Sequence, residues 1–106
     1  MDVSIIIVNY NTRQLLADCL ASIFKETSGF SYEVIIVDNA SRDGSQDFIC
    51  QLYPQVIWIN SGKNLGFGRA NNLGAKVAKG EYLFLLNSDT VFTSVRRKIL
   101  RQCFNY

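Results

Sequence analysis

A chain of 106 residues, 48% hydrophobic and 12% aromatic, is enough for one packed core and has an ordinary globular composition. Its net charge is +2, but without Arg96, Arg97, Lys98 and Arg101 the remaining seven Lys and Arg face nine Asp and Glu, so the body is mildly acidic and the end basic. Histidine is absent, which excludes Ser-His-Asp catalysis, Cys-His catalysis and His-based zinc sites within this chain.

Any metal is therefore expected to be a hard cation held by oxygens, and any general acid or base a carboxylate, Tyr, Lys or Cys. Cys19, Cys50 and Cys103 are odd in number, widely spaced and form no CxxC pair. They are expected to be reduced and buried, in a cytoplasmic chain. No apolar run is long enough to span a bilayer, and no signal peptide is expected.

The first element is Val3-Ser4-Ile5-Ile6-Ile7-Val8, β-branched and nearly all apolar, as in a strand buried on both faces of a parallel sheet. Asn9-Tyr10-Asn11-Thr12 follows, with Asn11 or Thr12 as the N-cap of a helix. Leu15, Leu16, Cys19, Leu20, Ile23 and Phe24 give that helix one apolar face, and Ser28-Gly29 ends it. A second strand runs from Tyr32 to Val37 and stops at Asp38-Asn39. The turn from Asn39 to Ser45 leads into a helix with Phe48, Ile49 and Leu52 on its apolar side, stopped by Pro54. Val56 to Ile59 is a third, short strand. The loop from Asn60 to Gly66 precedes a helix from Phe67 to Ala78, whose Ala70, Gly74, Val77 and Ala78 keep one face small for close contact with a sheet. Gly80 is placed as the residue closing that helix. Tyr82 to Leu86 is the fourth strand and stops at Asn87-Ser88-Asp89.

The order βαβαβαβ, with connections long enough for right-handed crossovers, predicts an α/β fold with a parallel sheet of order 3-2-1-4. Its switch point falls between strands 1 and 4. Three apolar runs then stop at polar clusters on one edge, where ligands of open α/β sheets bind. Asn9, Asp38 and Asp89 become near neighbours there. From Thr93 to Tyr106, Val95, Ile99, Leu100, Cys103 and Phe104 fall on one helical face with the cations largely opposite. That tail is a solvated helix face or a peripheral contact with anionic lipid at the inner face of a membrane. The cluster is too small and too confined to one end to predict nucleic-acid binding.

Each cluster has a plain reading beside the functional one. Asp38 can accept the N–H of a pyrimidine or ribose hydroxyls, or it caps a turn. Asp43-Gly44-Ser45 is a turn and N-cap as well as a ligand contact. Asn87 and Asp89, at i and i+2, point the same way on extended backbone and suit a divalent cation bridged to a diphosphate, or they form an Asx-turn. Gly66-Phe67-Gly68-Arg69 lets backbone N–H groups and a guanidinium approach phosphate near a helix start. The dinucleotide fingerprint GxGxxG is missing after strand 1, where Asn9-Tyr10-Asn11-Thr12 stands. No GKS or GKT occurs, so a P-loop is excluded. A receiver-type signalling domain needs an acidic pair after strand 1, and none is present.

Taken in order, VSIIIVNYNT, YEVIIVDNASRDGS and NLGFGRANNLGAKVAKGEYLFLLNSDT resemble the N-terminal, nucleotide-binding half of family 2 glycosyltransferases of the GT-A fold. The resemblance is to bacterial rhamnosyltransferase-like members that build surface polysaccharides, and it covers residues 3 to about 92. It implies a Rossmann-like half domain over 1–92, followed by a tail over 93–106. It implies that Asn9, Tyr10 and Asn11 border the nucleobase of a UDP- or dTDP-sugar, that Asp38 binds the base, and that Asp43 lies near base or ribose. Gly66, Arg69 and Asn72 would flank the nucleotide. Asn87-Ser88-Asp89 stands at the family's DxD position, with Asp89 contacting the Mg²⁺ or Mn²⁺ that bridges the diphosphate. Asn87 replaces the first DxD carboxylate and lowers the charge of the metal site by one.

The implied activity is transfer of a sugar, with inversion, to a polysaccharide or lipid-linked acceptor. Family members continue past the DxD strand into an acceptor half that supplies the catalytic base. No catalytic residue is therefore expected in this chain. Self-association is expected, through the apolar strand Tyr82–Leu86 or through the tail. The other reading is a remnant kept for nucleotide binding or assembly.

Overall fold

The computed structural model describes residues 1–88 of the chain. The elements are β1 (Val3–Asn9), α1 (Arg13–Glu26), β2 (Tyr32–Asp38), α2 (Ser45–Leu52), β3 (Ile57–Asn60), α3 (Gly66–Val77) and β4 (Tyr82–Asn87). The sheet order is β3-β2-β1-β4, and every strand pair is parallel. This is the α/β architecture expected from the sequence. Asp89 and the basic tail over 93–106 lie outside the described residues.

The strands alternate between two cores. Val3, Ile5 and Ile7 of β1, Val34 and Ile36 of β2, and Phe84 and Leu86 of β4 pack with Leu16, Cys19, Leu20 and Ile23 of α1 and Ile49 of α2. Ile6, Ile35 and Val37 face the other side, against Ala70 of α3. Each fully buried aliphatic side chain contributes about 1.5–3 kcal/mol, so the three consecutive buried isoleucines of β1 anchor both layers.

Helix α3 approaches the sheet closely because Gly74 has no side chain. A Cβ there would lie 2.7 Å from Ile6 Cγ2 and 3.2 Å from Val37 Cγ2. Gly80 has a different role from the one expected. The helix closes at Ala78, whose N–H reaches the Ala75 carbonyl, and Gly80 instead lies against β1. Its N–H donates to Ser4 Oγ at 2.8 Å, and a Cβ would meet Ser4 N at 2.5 Å.

Several apolar positions depart from the expected faces. Leu15, Phe48, Leu52 and Val77 are exposed. In α1 the buried stripe runs through Leu16, Cys19, Leu20 and Ile23, and Leu15 falls beyond its margin. In α2 only Ser45 and Ile49 are buried, so the helix rests on a narrow strip. Phe48 instead carries the Arg13 guanidinium over its ring at 5.1 Å. Thr12 is the N-cap residue of α1, but its side chain makes no cap hydrogen bond. The polar residues Asn9 and Asp38 belong to β1 and β2, in register with each other, and β3 takes in Asn60 while leaving out Val56. Strand β4 is an edge of the described sheet, with Leu83 and Leu85 exposed on the side where α3 packs over β1 and β2.

Candidate functional site

The carboxyl ends of β1, β2 and β4 meet at one edge, and the polar side chains there are tied together. Asn9 is fully buried and Asp38 nearly so. Asn9 Nδ2 donates to Asp38 Oδ1 at 2.8 Å. The Ser41 N–H donates to Asp38 Oδ2 at 2.9 Å, and its hydroxyl to Oδ1 at 2.6 Å. The chain reaches Ser41 through Ala40, a non-glycine residue at φ 67°, a conformation that persists only where its surroundings fix it. Asp38 thus serves as the turn acceptor of the plain reading, and it does so at the edge where the functional reading puts the base.

The two loops of this edge are laced to each other. Asn11, at φ 53°, donates its N–H to Ser41 Oγ at 2.8 Å and accepts the Arg42 N–H at 2.8 Å. Asp43 accepts the Arg13 N–H at 3.0 Å and the Ser45 N–H at 3.1 Å, and also the Ser45 hydroxyl. Partial burial raises the Asp43 pKa, but the bonds from the Ser45 hydroxyl and the Arg13 and Ser45 N–H groups outweigh it and hold the carboxyl below its ordinary value. Tyr10, between the laced residues, is half exposed at 50%.

A directed chain of bonds links β4 to this pair. Thr12 Oγ1 donates to Asn9 Oδ1 at 2.6 Å, because an amide oxygen only accepts. The Thr12 hydroxyl has one hydrogen, so at its 2.9 Å contact with Ser88 Oγ the donor is Ser88. The Ser88 proton is therefore committed to Thr12. Ser88 is buried.

Asn39, in the turn after β2, fixes the start of α3. Its Oδ1 accepts the Leu65 N–H at 3.3 Å, and its Nδ2 donates to the Gly66 carbonyl at 3.2 Å. Gly66 sits at φ 78°, in the left-handed region that glycine tolerates best. A Cβ on Gly68 would meet nothing within 4 Å, so nothing described crowds that position. No side-chain hydrogen bond among the described residues ties Arg69 or Asn72 to the Asn9–Asp38 cluster. Both are exposed, and they line a groove of about 280 Å³ with Leu65, Leu73 and Lys76. The inward residue is their neighbour Asn71, 5% exposed, with neither Nδ2 nor Oδ1 hydrogen-bonded among the described residues. Leaving such a group unpaired costs on the order of 1–3 kcal/mol.

The family model for "Glycosyl transferase family 2" matches residues 4–100. The chain belongs to glycosyl transferase family 2. The family 2 relatives include a poly(ribitol-phosphate) beta-glucosyltransferase of Bacillus spizizenii, 38% identical over 84% of this chain and 15% of the relative. The glycosyltransferase YwdF of Bacillus subtilis is 39% identical over 88% of this chain and 34% of its own length. This family 2 chain therefore spans about a third or less of these relatives. Residues 1–349 of S. aureus TarS superpose with a TM-score of 0.84 at 23% identity, covering 99% of this chain and 32% of that one. A mannosyltransferase from Pyrobaculum calidifontis, solved with GDP-Man and Mn²⁺, superposes at 0.80 with 23% identity, covering 92% and 30%. At such identities the superpositions establish the GT-A fold and no more.

No group of three or more Asp, Glu, Cys or His among the described residues could hold a metal by itself. Asp38 is already taken up by Asn9 and Ser41. Of the residues at the expected metal position, Ser88 is described and buried, and Asp89 lies outside the described residues.

Proposed function

We propose that this chain forms the donor-binding part of an inverting glycosyltransferase that takes a sugar from a UDP- or dTDP-sugar to a polysaccharide or lipid-linked acceptor, in the rhamnosyltransferase-like branch of its family. The observation that carries the reading is the buried, in-register Asn9–Asp38 pair at the carboxyl edge, with an exposed aromatic ring, Tyr10, beside it. Binding of UDP by the structural neighbour TarS supports a uracil donor.

In this reading the edge works by prior order. The laced loops hold Asp38, Asn9 and Tyr10 in place before the nucleotide arrives, so little ordering is left to binding. Asp38 retains lone-pair capacity for a base N–H, since a carboxylate has about four acceptor sites and the chain supplies three donors. Ser88 and Asp89 would hold Mg²⁺ or Mn²⁺, which offsets charge on the leaving nucleoside diphosphate when bound. The acceptor and the base that deprotonates it belong to the family's second half. The 106 residues alone therefore bind nucleotide and do not transfer sugar. The chain's short share of its relatives supports this.

The test is calorimetric titration of UDP and dTDP, with and without Mn²⁺, into the wild type and Asp38→Ala. Metal-dependent binding that is lost in Asp38→Ala is expected. A folded wild type that binds neither nucleotide would overturn the donor-site reading and leave an assembly role. Turnover of a UDP-sugar with acceptor by the purified chain would overturn the division of labour.

A further inference from the structure

Among the described residues, the carboxyl edge holds one buried polar side chain that the network leaves out. Asn9, Asp38 and Asn39 all have partners within the chain, and so do Thr12, Ser41 and Ser88. Asn71 is as buried as they are, and both its amide atoms are unfilled. Its depth follows from its neighbours on α3. The helix starts at the edge, with Gly66 bonded to Asn39. It descends until Gly74 lies over Ile6 and Val37. Asn71 is three residues earlier, about 4.5 Å nearer the edge. A strand rises about 3.3 Å per residue, so Asn71 is level with Val8 and with its β4 partner Asn87. Ala70, beside it, packs in the core against the sheet. This turn of α3 is therefore pressed against the sheet at the height of the site.

The chemistry of the vacant bonds restricts what can fill them. A phosphate only accepts hydrogen bonds and would leave Oδ1 bare. A metal ion would take Oδ1 and leave the N–H donors bare. A group that presents an acceptor and a donor side by side satisfies both, as an imide edge or a sugar hydroxyl does. We propose that Asn71 is a donor-binding residue whose carboxamide bonds such a neutral group of the nucleotide sugar, not its diphosphate. The inference rests on the reading of this edge as a nucleotide-sugar site. It concerns a different residue and a different contact from the phosphate contact expected of Arg69.

The experiment titrates UDP-glucose, UDP and inorganic pyrophosphate, each with Mn²⁺, into the wild type, Asn71→Leu and Asn71→Ala, with thermal melts alongside. Leucine keeps the volume and removes both polar atoms, so the fold should melt at or above the wild-type temperature. UDP-glucose affinity should fall at least tenfold, with pyrophosphate affinity unchanged. A loss shared by UDP assigns the contact to the nucleoside, and a loss confined to UDP-glucose assigns it to the sugar. Undiminished UDP-glucose binding by a folded Asn71→Leu would overturn the proposal, as would an equal loss for pyrophosphate. If leucine does not fold, Asn71→Ala is judged by the same outcomes. Failure of the underlying reading looks different, because the wild type itself would then bind no UDP-glucose.

Discussion

The two edges of the sheet carry matching polar pairs and differ in what the pairs leave over. At the amino edge Ser4 and Glu33 face each other in register on β1 and β2, as Asn9 and Asp38 do at the carboxyl edge. Ser4 Oγ donates to Glu33 Oε2 at 2.6 Å, the Lys79 N–H donates to the same oxygen at 2.6 Å, and Gly80 closes over Ser4. The amino edge also has a hollow of about 370 Å³, lined by Phe24, Tyr32 and Glu33 among others. Its one carboxylate is already engaged, and the rest of its lining is largely apolar. Neither a strand-end carboxylate nor a hollow by itself therefore marks the site. What distinguishes the proposed site among the described residues is the exposed Tyr10 ring and the unfilled Asn71 amide.

The largest effect should come from Gly80→Ala. The added methyl would meet Ser4 N at 2.5 Å and the Val3 carbonyl carbon at 2.6 Å, both of them backbone. About 3 kcal/mol is expected, a melting temperature lower by on the order of 10 °C. Gly74→Ala meets a side-chain methyl of Ile6 that can turn away, and should cost about 1 kcal/mol. Neither change should alter nucleotide affinity measured on the folded fraction. Equal losses from the two would mean that backbone contact at Gly80 is not what closes the amino edge.

The comparison of edges is sharpened by Asp38→Asn against Glu33→Gln. Asp38 accepts at both oxygens, so its amide must turn a donor toward an existing donor, at about 1–2 kcal/mol, whereas Glu33 accepts only at Oε2 and its amide can keep an oxygen there at smaller cost. Only Asp38→Asn should weaken UDP binding, by tenfold or more in calorimetry. A similar drop in Glu33→Gln would erase the functional distinction between the edges. Thr12→Val comes next, since it removes the hydroxyl between Ser88 and Asn9. About 1 kcal/mol of stability in a denaturant titration is expected, with Thr12→Ser restoring it.

The architecture was legible because β1 and β2 are apolar on both faces and each stops at a polar residue. The sheet order followed from chain order and crossover handedness. The two edges were not equally legible. Ser4 is a single hydroxyl inside a strand and Gly80 looks like a helix terminator, so nothing in the sequence announced their contact. At the carboxyl edge the motif residues stood out, but helix rotation decides which of them turn inward. The sequence contained only part of that signal. If Ala70 and Gly74 meet the sheet, Asn72 falls opposite and Asn71 and Leu73 fall on the two flanks, of which the structure buries Asn71 more deeply. Asn39 was harder to find, because its two bonds depend on how closely the loop before α3 returns to β2.

The smallest expected effect tests the lacing of the carboxyl edge through its pH dependence. Asp43 has its carboxyl held below the ordinary value, with burial opposing and the hydrogen bonds from Ser45 and the Arg13 N–H prevailing. A folded-state pKa below the unfolded one means that the fold favours the charged form. The stability from this group is complete above the unfolded value near 4 and is lost as pH falls through the lower folded value. Melting curves collected from pH 6 down to pH 3 should show the wild type losing stability more steeply than Asp43→Asn. The variant should be weaker near neutrality by less than about 1 kcal/mol, and the two curves should converge in acid. Parallel acid slopes would mean that the charge of Asp43 does not hold the β1–α1 loop, leaving the neutral bonds of Asn11 and Ser41 to order this edge.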